Sequence, residues 1–127
     1  MAINEETQQV EIADQLAEIV KTLAHSTRAV PKPSDSYALI ADLAQAQEIL
    51  AQVYSQLAAW HDRVVDGTHY NGEDGRSTAA EPATEQAKGL LELATHEADQ
   101  AAAQLRKAHS ANGVIRWFDD VPEADQT

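Results

Sequence analysis

The feature that most constrains this chain is a row of apolar residues, Leu39, Leu43, Ala46, Leu50, Val53, Leu57, Trp60 and Val64, that advances by alternating steps of four and three. A β-strand repeats every two residues, so this spacing selects an α-helix. Sustained over that length, it selects left-handed supercoiled packing against another helix. Neither Pro nor Gly interrupts the stretch between Asp35 and Asp66, and either Ser34 or Asp35 can cap its start. Ile40, Ile49 and Tyr54 widen the apolar row, which suits a bundle with more than one neighbour. Trp60 lies on the row and is read as core rather than as a platform for stacking a ligand.

A partner for this helix is written downstream. From near Pro82 to about Ser110, Ala87, Leu90, Leu91, Ala94, Ala98, Ala101, Leu105 and Ala108 recur at helical spacing, and Asn112-Gly113 ends the pattern. Alanine lets a neighbouring backbone approach toward the short end of the usual interhelical distance, roughly 8–10 Å. Gly89 is expected to mark such a close contact. Between the two helices, residues 66–80 carry Gly67, Gly72 and Gly75, each preceded by Asp or Asn. That is turn chemistry, read as a flexible surface loop, and a loop joining two helices of similar length makes them antiparallel.

Upstream, a shorter helix is expected from about Glu5 to Ala24, capped by Asn4, with Ile12, Leu16, Ile19, Val20 and Leu23 on one side. Pro31 and Pro33 make the segment that follows an extended connector. The expected fold is therefore all-α: an antiparallel hairpin of two long helices plus a shorter N-terminal helix, a three-helix bundle that dimerisation could complete. Residues 1–118 are read as a single helical-bundle domain and residues 119–127 as an acidic, disordered tail.

Composition narrows the function classes. Of the 127 residues, 21 are acidic and 9 basic, for a formal net charge of −12, and the basic residues are scattered. Nucleic-acid binders need a basic stripe to displace counterions, so direct nucleic-acid binding is not expected. There is no cysteine, which removes disulfides, thiolate metal sites and a Cys nucleophile and fits a reducing compartment. No stretch approaches the roughly 18–20 apolar residues of a membrane span, and the opening Met-Ala-Ile-Asn-Glu-Glu lacks the pattern of a signal peptide. A soluble, cytoplasmic protein is expected.

The five histidines, His25, His61, His69, His96 and His109, show no metal-ligand spacing, and Glu92 and His96 read as a surface pair four residues apart. Neither a nucleophile elbow nor a phosphate-binding glycine loop is present. The chain is read as non-enzymatic, with no catalytic residue, no metal and no cofactor.

After Gly113 comes a short apolar patch with Ile115, Trp117 and Phe118, followed by Asp119 and Asp120. These aromatics either fold back to cap one end of the bundle or serve as a docking peptide, since buried aromatics dominate interface energetics. Ile115, Trp117 and Phe118 are the candidate partner-binding residues. The function expected is a helical protein–protein interaction module or adaptor, binding an unknown protein or a second copy through an apolar helix face or this patch. The alternative is an acidic decoy that occupies the nucleic-acid-binding surface of a basic protein.

Overall fold

The computed structural model describes residues 6–74 and 81–120. Three helices account for most of them: α1 (Gln9–Ser26), α2 (Asp35–Arg63) and α3 (Ala83–Asn112). The described residues contain no strand, only one isolated bridge between Asp66 and Tyr70. The fold is all-helical, with the two long helices packed against each other. The chain divides into two units, Ser34–Trp117, which holds the hairpin, and Met1–Pro33 with Phe118–Thr127.

In the first-named unit, α2 and α3 run antiparallel. Ser36 lies level with Asn112, Glu48 with Arg106, and Asp62 with Lys88, each pair joined by a hydrogen bond across the hairpin. The buried row of α2 is set one residue later than the sequence spacing suggests. Ala44, Ala51 and Ala58 are 0%, 4% and 3% exposed, and Ile40, Gln47, Tyr54 and His61 between them are half-buried. Opposite them, Ala98 and Ala102 are buried while Leu91, Thr95, Leu105 and His109 are half-buried. Small side chains at these positions, with Ala51 level with Ala98, let the two backbones approach and make many contacts that are individually small. A leucine row at the same place would hold the helices further apart.

The row expected to form the core consequently flanks it. Leu39, Leu50 and Val64 are half-buried, whereas Leu43, Val53, Leu57 and Trp60 are exposed, Trp60 to 47%. Trp60 is thus not core; its ring meets the edge of His61 at 4.9 Å. Gly89 does not mark a close contact either, because a Cβ placed there would find nothing within 4 Å. Gly113 is the tight position: its φ of −64° is ordinary, but a Cβ would sit 3.0 Å from the Tyr37 ring.

The loop that leaves α2 is described as far as Asp74, and Gly75 lies outside the described residues. Gly67 and Gly72 take φ of +89° and +67°, the left-handed region that glycine reaches at no steric cost. The amide of Gly67 donates to the Tyr70 carbonyl at 2.7 Å, and that of Gly72 donates to the Asp66 carboxylate at 2.8 Å. Val65 N–H donates to Nδ1 of His69 at 3.0 Å.

In the other unit, α1 starts at Gln9, later than expected, and Asn4 lies outside the described residues. None of its residues is buried: Ile12, Leu16, Ile19 and Val20 are exposed and Leu23 is half-buried. Phe118 is 83% exposed. Of the acidic tail, residues 121–127 lie outside the described residues.

Candidate functional site

The α2–α3 hairpin has two unlike flanks. Relative to the buried row of α2, residues one position later, such as Glu48 and Asp62, lie to one side, and residues one position earlier, such as Leu43, Leu50 and Leu57, lie to the other. In an antiparallel pair the same offset on both helices falls on the same side. The Arg106–Glu48 pair, each residue one position after its helix's buried row, demonstrates this.

The first flank is polar. Lys88 reaches Asp62 at 3.2 Å and Glu92 at 3.9 Å. The Asp62 hydrogen bond, and then its charge, hold the Lys88 ammonium above its ordinary pKa. Exposed pairs like these contribute little to stability, but they define which side faces water and fix the level of one helix against the other. Glu92, expected to pair with His96, is held by Lys88 instead.

The second flank is apolar over most of its length, broken on α3 by Glu97 and Gln104. Leu39, Leu43, Leu50, Val53, Leu57 and Trp60 supply large side chains from α2, and Ala87, Leu90, Ala94, Ala101 and Ala108 line α3 beside them. Leu90 is 65% exposed. Among the described residues, Glu97 is the one charged residue at these flank positions of either helix. An apolar strip of this extent exceeds the scattered hydrophobics of an ordinary protein surface and is the usual mark of a docking surface.

A smaller site closes the end of the hairpin. Asn112 is buried; its Nδ2 donates to Ser36 Oγ at 3.0 Å, and its Oδ1 accepts from Trp117 Nε1 at 3.2 Å. The Tyr37 ring stacks on His109 with centroids 3.9 Å apart. Ser34, Tyr37, Asn112, Gly113, Ile115 and Trp117 surround an open hollow of about 260 Å³. Of the three candidate docking residues, Trp117 is therefore anchored by its indole N–H although 41% exposed, Ile115 is 47% exposed at the rim of the hollow, and Phe118 belongs to the other unit.

Two features escaped the sequence reading. Asn112 reads there only as a helix stop, and nothing local shows that its amide would join the start of α2 to the segment that follows α3. Glu73 caps α3 from ten residues upstream: its carboxylate accepts from the amides of Ala83 at 2.6 Å and Thr84 at 3.2 Å and from the Thr84 hydroxyl at 3.3 Å. The two amide bonds hold the Glu73 carboxyl below its ordinary pKa, as expected for an anion at a helix N-terminus. Pro82 itself sits at the cap, just before the helix, and its carbonyl receives the Gln86 amide at 3.0 Å.

Among the described residues, no three of His, Cys, Asp and Glu stand together in a way that could hold a metal ion, and no helix is long and apolar enough to cross a membrane. No family model matches the chain, and neither does any curated protein or solved structure with which it was compared.

Proposed function

We propose that this chain is a non-enzymatic helical protein–protein interaction module, and that the apolar flank of the α2–α3 hairpin is its docking surface. The observation that carries the proposal is the inversion of sizes across α2. The smallest apolar side chains, Ala44, Ala51 and Ala58, fill the interior, while Leu43, Val53, Leu57 and Trp60 stand in an ordered row against solvent. Rigid helices that present a continuous row of large side chains pre-pay the ordering cost of binding, the condition under which buried area converts to affinity. Ile115 and Phe118 offer further exposed apolar surface as secondary contacts. The proposal includes a cytoplasmic setting, in keeping with a chain free of cysteine.

The acidic-decoy reading has less support. On the polar flank, Arg106 and Lys88 interrupt the carboxylates of Glu48, Asp62 and Glu92, so these acids do not form the unbroken double row that would imitate a nucleic-acid backbone.

A photo-crosslinking amino acid placed at Leu57, on the apolar flank, and separately at Gln52, on the polar side, tests the proposal in cells. Adducts from position 57 but not from position 52 are expected, and their mass reads the partner. Equal yields, or none from position 57, would remove the docking surface.

A further inference from the structure

We infer that a second copy of this chain covers the apolar flank of the hairpin, related by a two-fold axis running along the helices, so that the leucine row of each copy lies on the alanine row of the other. This rests on the interaction-module reading and names its partner.

The level of one helix against the other is fixed by Ser36–Asn112, Glu48–Arg106 and Asp62–Lys88. At that register, Leu43 stands level with Ala108, Leu50 with Ala101, and Leu57 with Ala94, at successive heptad steps on both helices. Each of these three layers therefore carries one large and one small side chain, in the same order, while the outer row of the flank sets Trp60 level with Leu90 and Val53 level with Glu97. A two-fold axis parallel to the helices places the α2 of one copy over the α3 of the other, and Leu43, Leu50 and Leu57 then each meet an alanine. An axis across the helices would instead set leucine on leucine and alanine on alanine, too thick along one line and hollow along the other. Both arrangements are isologous and make all neighbouring helices antiparallel, the common four-helix topology, but only the first is evenly packed along the leucine–alanine line.

The size agrees. From Leu39 to Val64 the flank runs roughly 37 Å at 1.5 Å per residue, and two helices about 8–10 Å apart make it about 18 Å wide. That is roughly 650 Å² in plan, close to the roughly 800 Å² per partner of a stable protein interface. Glu97 and Gln104 stand on the outer row of the flank with Leu90 rather than on the leucine–alanine line, so their polar ends reach water at the rim of the contact between copies. Each copy carries a net charge of −12, so added salt screens their repulsion and strengthens the pairing. Attraction of the acidic chain to a basic partner would weaken instead.

Sedimentation equilibrium on the full chain is the test, with Leu50→Ala and Ala101→Leu as variants and far-UV circular dichroism to confirm that each keeps its helices. The expected mass is twice the 13.8 kDa of the chain. Each variant alone weakens pairing, through two cavities in the first and two overfilled layers in the second, by roughly tenfold or more in Kd. Mixing the two restores it. In one layer the alanine introduced at position 50 then faces the leucine introduced at position 101, and in the other the unaltered Ala101 of the first variant faces the unaltered Leu50 of the second. Should either variant not fold, mixing Leu50→Cys with Ala101→Cys in this cysteine-free chain substitutes: a disulfide between the two chains supports the pairing, and one joining two Leu50→Cys chains refutes the axis. A chain of 13.8 kDa at every concentration overturns the second copy, as does a mixture of the two size variants no tighter than its components. If the position-57 crosslinker still captures another protein, the interaction-module reading survives that failure; if it captures nothing, both fall.

Discussion

On α2 the alanine row Ala44, Ala51, Ala58 and the leucine row Leu43, Leu50, Leu57 run side by side, one residue apart, and the hairpin buries the first while leaving the second at its edge. Hydrophobicity alone would choose the leucines, since fully burying a leucine is worth about 1.5–3 kcal/mol and an alanine offers far less area. Closeness decides otherwise. Facing alanines let the backbones of α2 and α3 draw together, and the polar side chains of the other flank can then pair across the groove. The leucines are left with part of their burial unrealised, and that remainder is available to a partner.

The sharpest way to break this contrast is to exchange the two rows' sizes. Ala51→Leu puts a large side chain between the closest-packed backbones and is expected to destabilise the chain by about 1–3 kcal/mol in urea unfolding. Leu57→Ala, one flank over and 45% exposed, should cost under about 1 kcal/mol when the chain is dilute. If the order were reversed, the leucine row would be the interior and the docking surface would vanish. The end of the hairpin sharpens the contrast with a polar group: Asn112→Ala removes the bridge to Ser36 and Trp117 and is expected to cost about 1–2 kcal/mol. In a Trp60→Phe background, the emission of Trp117 should shift to the red as its indole N–H turns to water.

The helices were legible because their periodicity is carried by many residues at once. The 3-4 repeat in α2 and the alanine spacing in α3 put both elements, and their antiparallel order, within two or three residues of where they lie. The buried row was not legible to the same degree, since two apolar rows one residue apart both satisfy a helical period. Choosing between them needs the facing helix, a non-local fact. The first helix teaches the same lesson: Ile12, Leu16 and Ile19 mark a face, yet burial depends on what meets it, and α1 buries none of its residues. Trp117 shows the limit at the site, for its spacing could not announce that an asparagine five residues earlier would hold its indole N–H. Glu73 carries no local sign of its role, because the amides it caps lie ten and eleven residues downstream.

Gly89 gives a smaller effect with the opposite sign. It sits on the polar side of α3, where a Cβ would meet nothing, so Gly89→Ala recovers backbone entropy without a clash and should stabilise the chain by about 1 kcal/mol in urea unfolding. Gly113→Ala should gain less or turn unfavourable, because its Cβ would press on a Tyr37 ring already stacked on His109. Equal gains at the two positions would mean that the tyrosine ring is free to move and that this end of the hairpin is loosely packed.

The smallest effect concerns the cap that starts α3. Because amide bonds from Ala83 and Thr84 depress the Glu73 carboxyl below its ordinary value of 4.5, the folded state binds a proton here less readily than the unfolded chain. Its stabilising contribution is therefore fully present above about pH 4.5 and is lost as pH falls through the lower folded value. The carboxylate is exposed to solvent, so the loss is local: the first turn of α3 should fray while the alanine interior, which carries no carboxylate or histidine between Ala44 and Ala58 on its buried row, holds. Amide hydrogen exchange reads the difference residue by residue. At neutral pH, Glu73→Gln should speed exchange at Ala83 and Thr84 and leave Ala98 and Ala102 unchanged. Acidifying the native chain should reproduce that pattern, and the variant should show no further acid-induced change at those two amides. Acceleration spreading to Ala98 would mean that the cap and the alanine interior unfold as one unit, and that the loop anchors the hairpin rather than merely trimming its end.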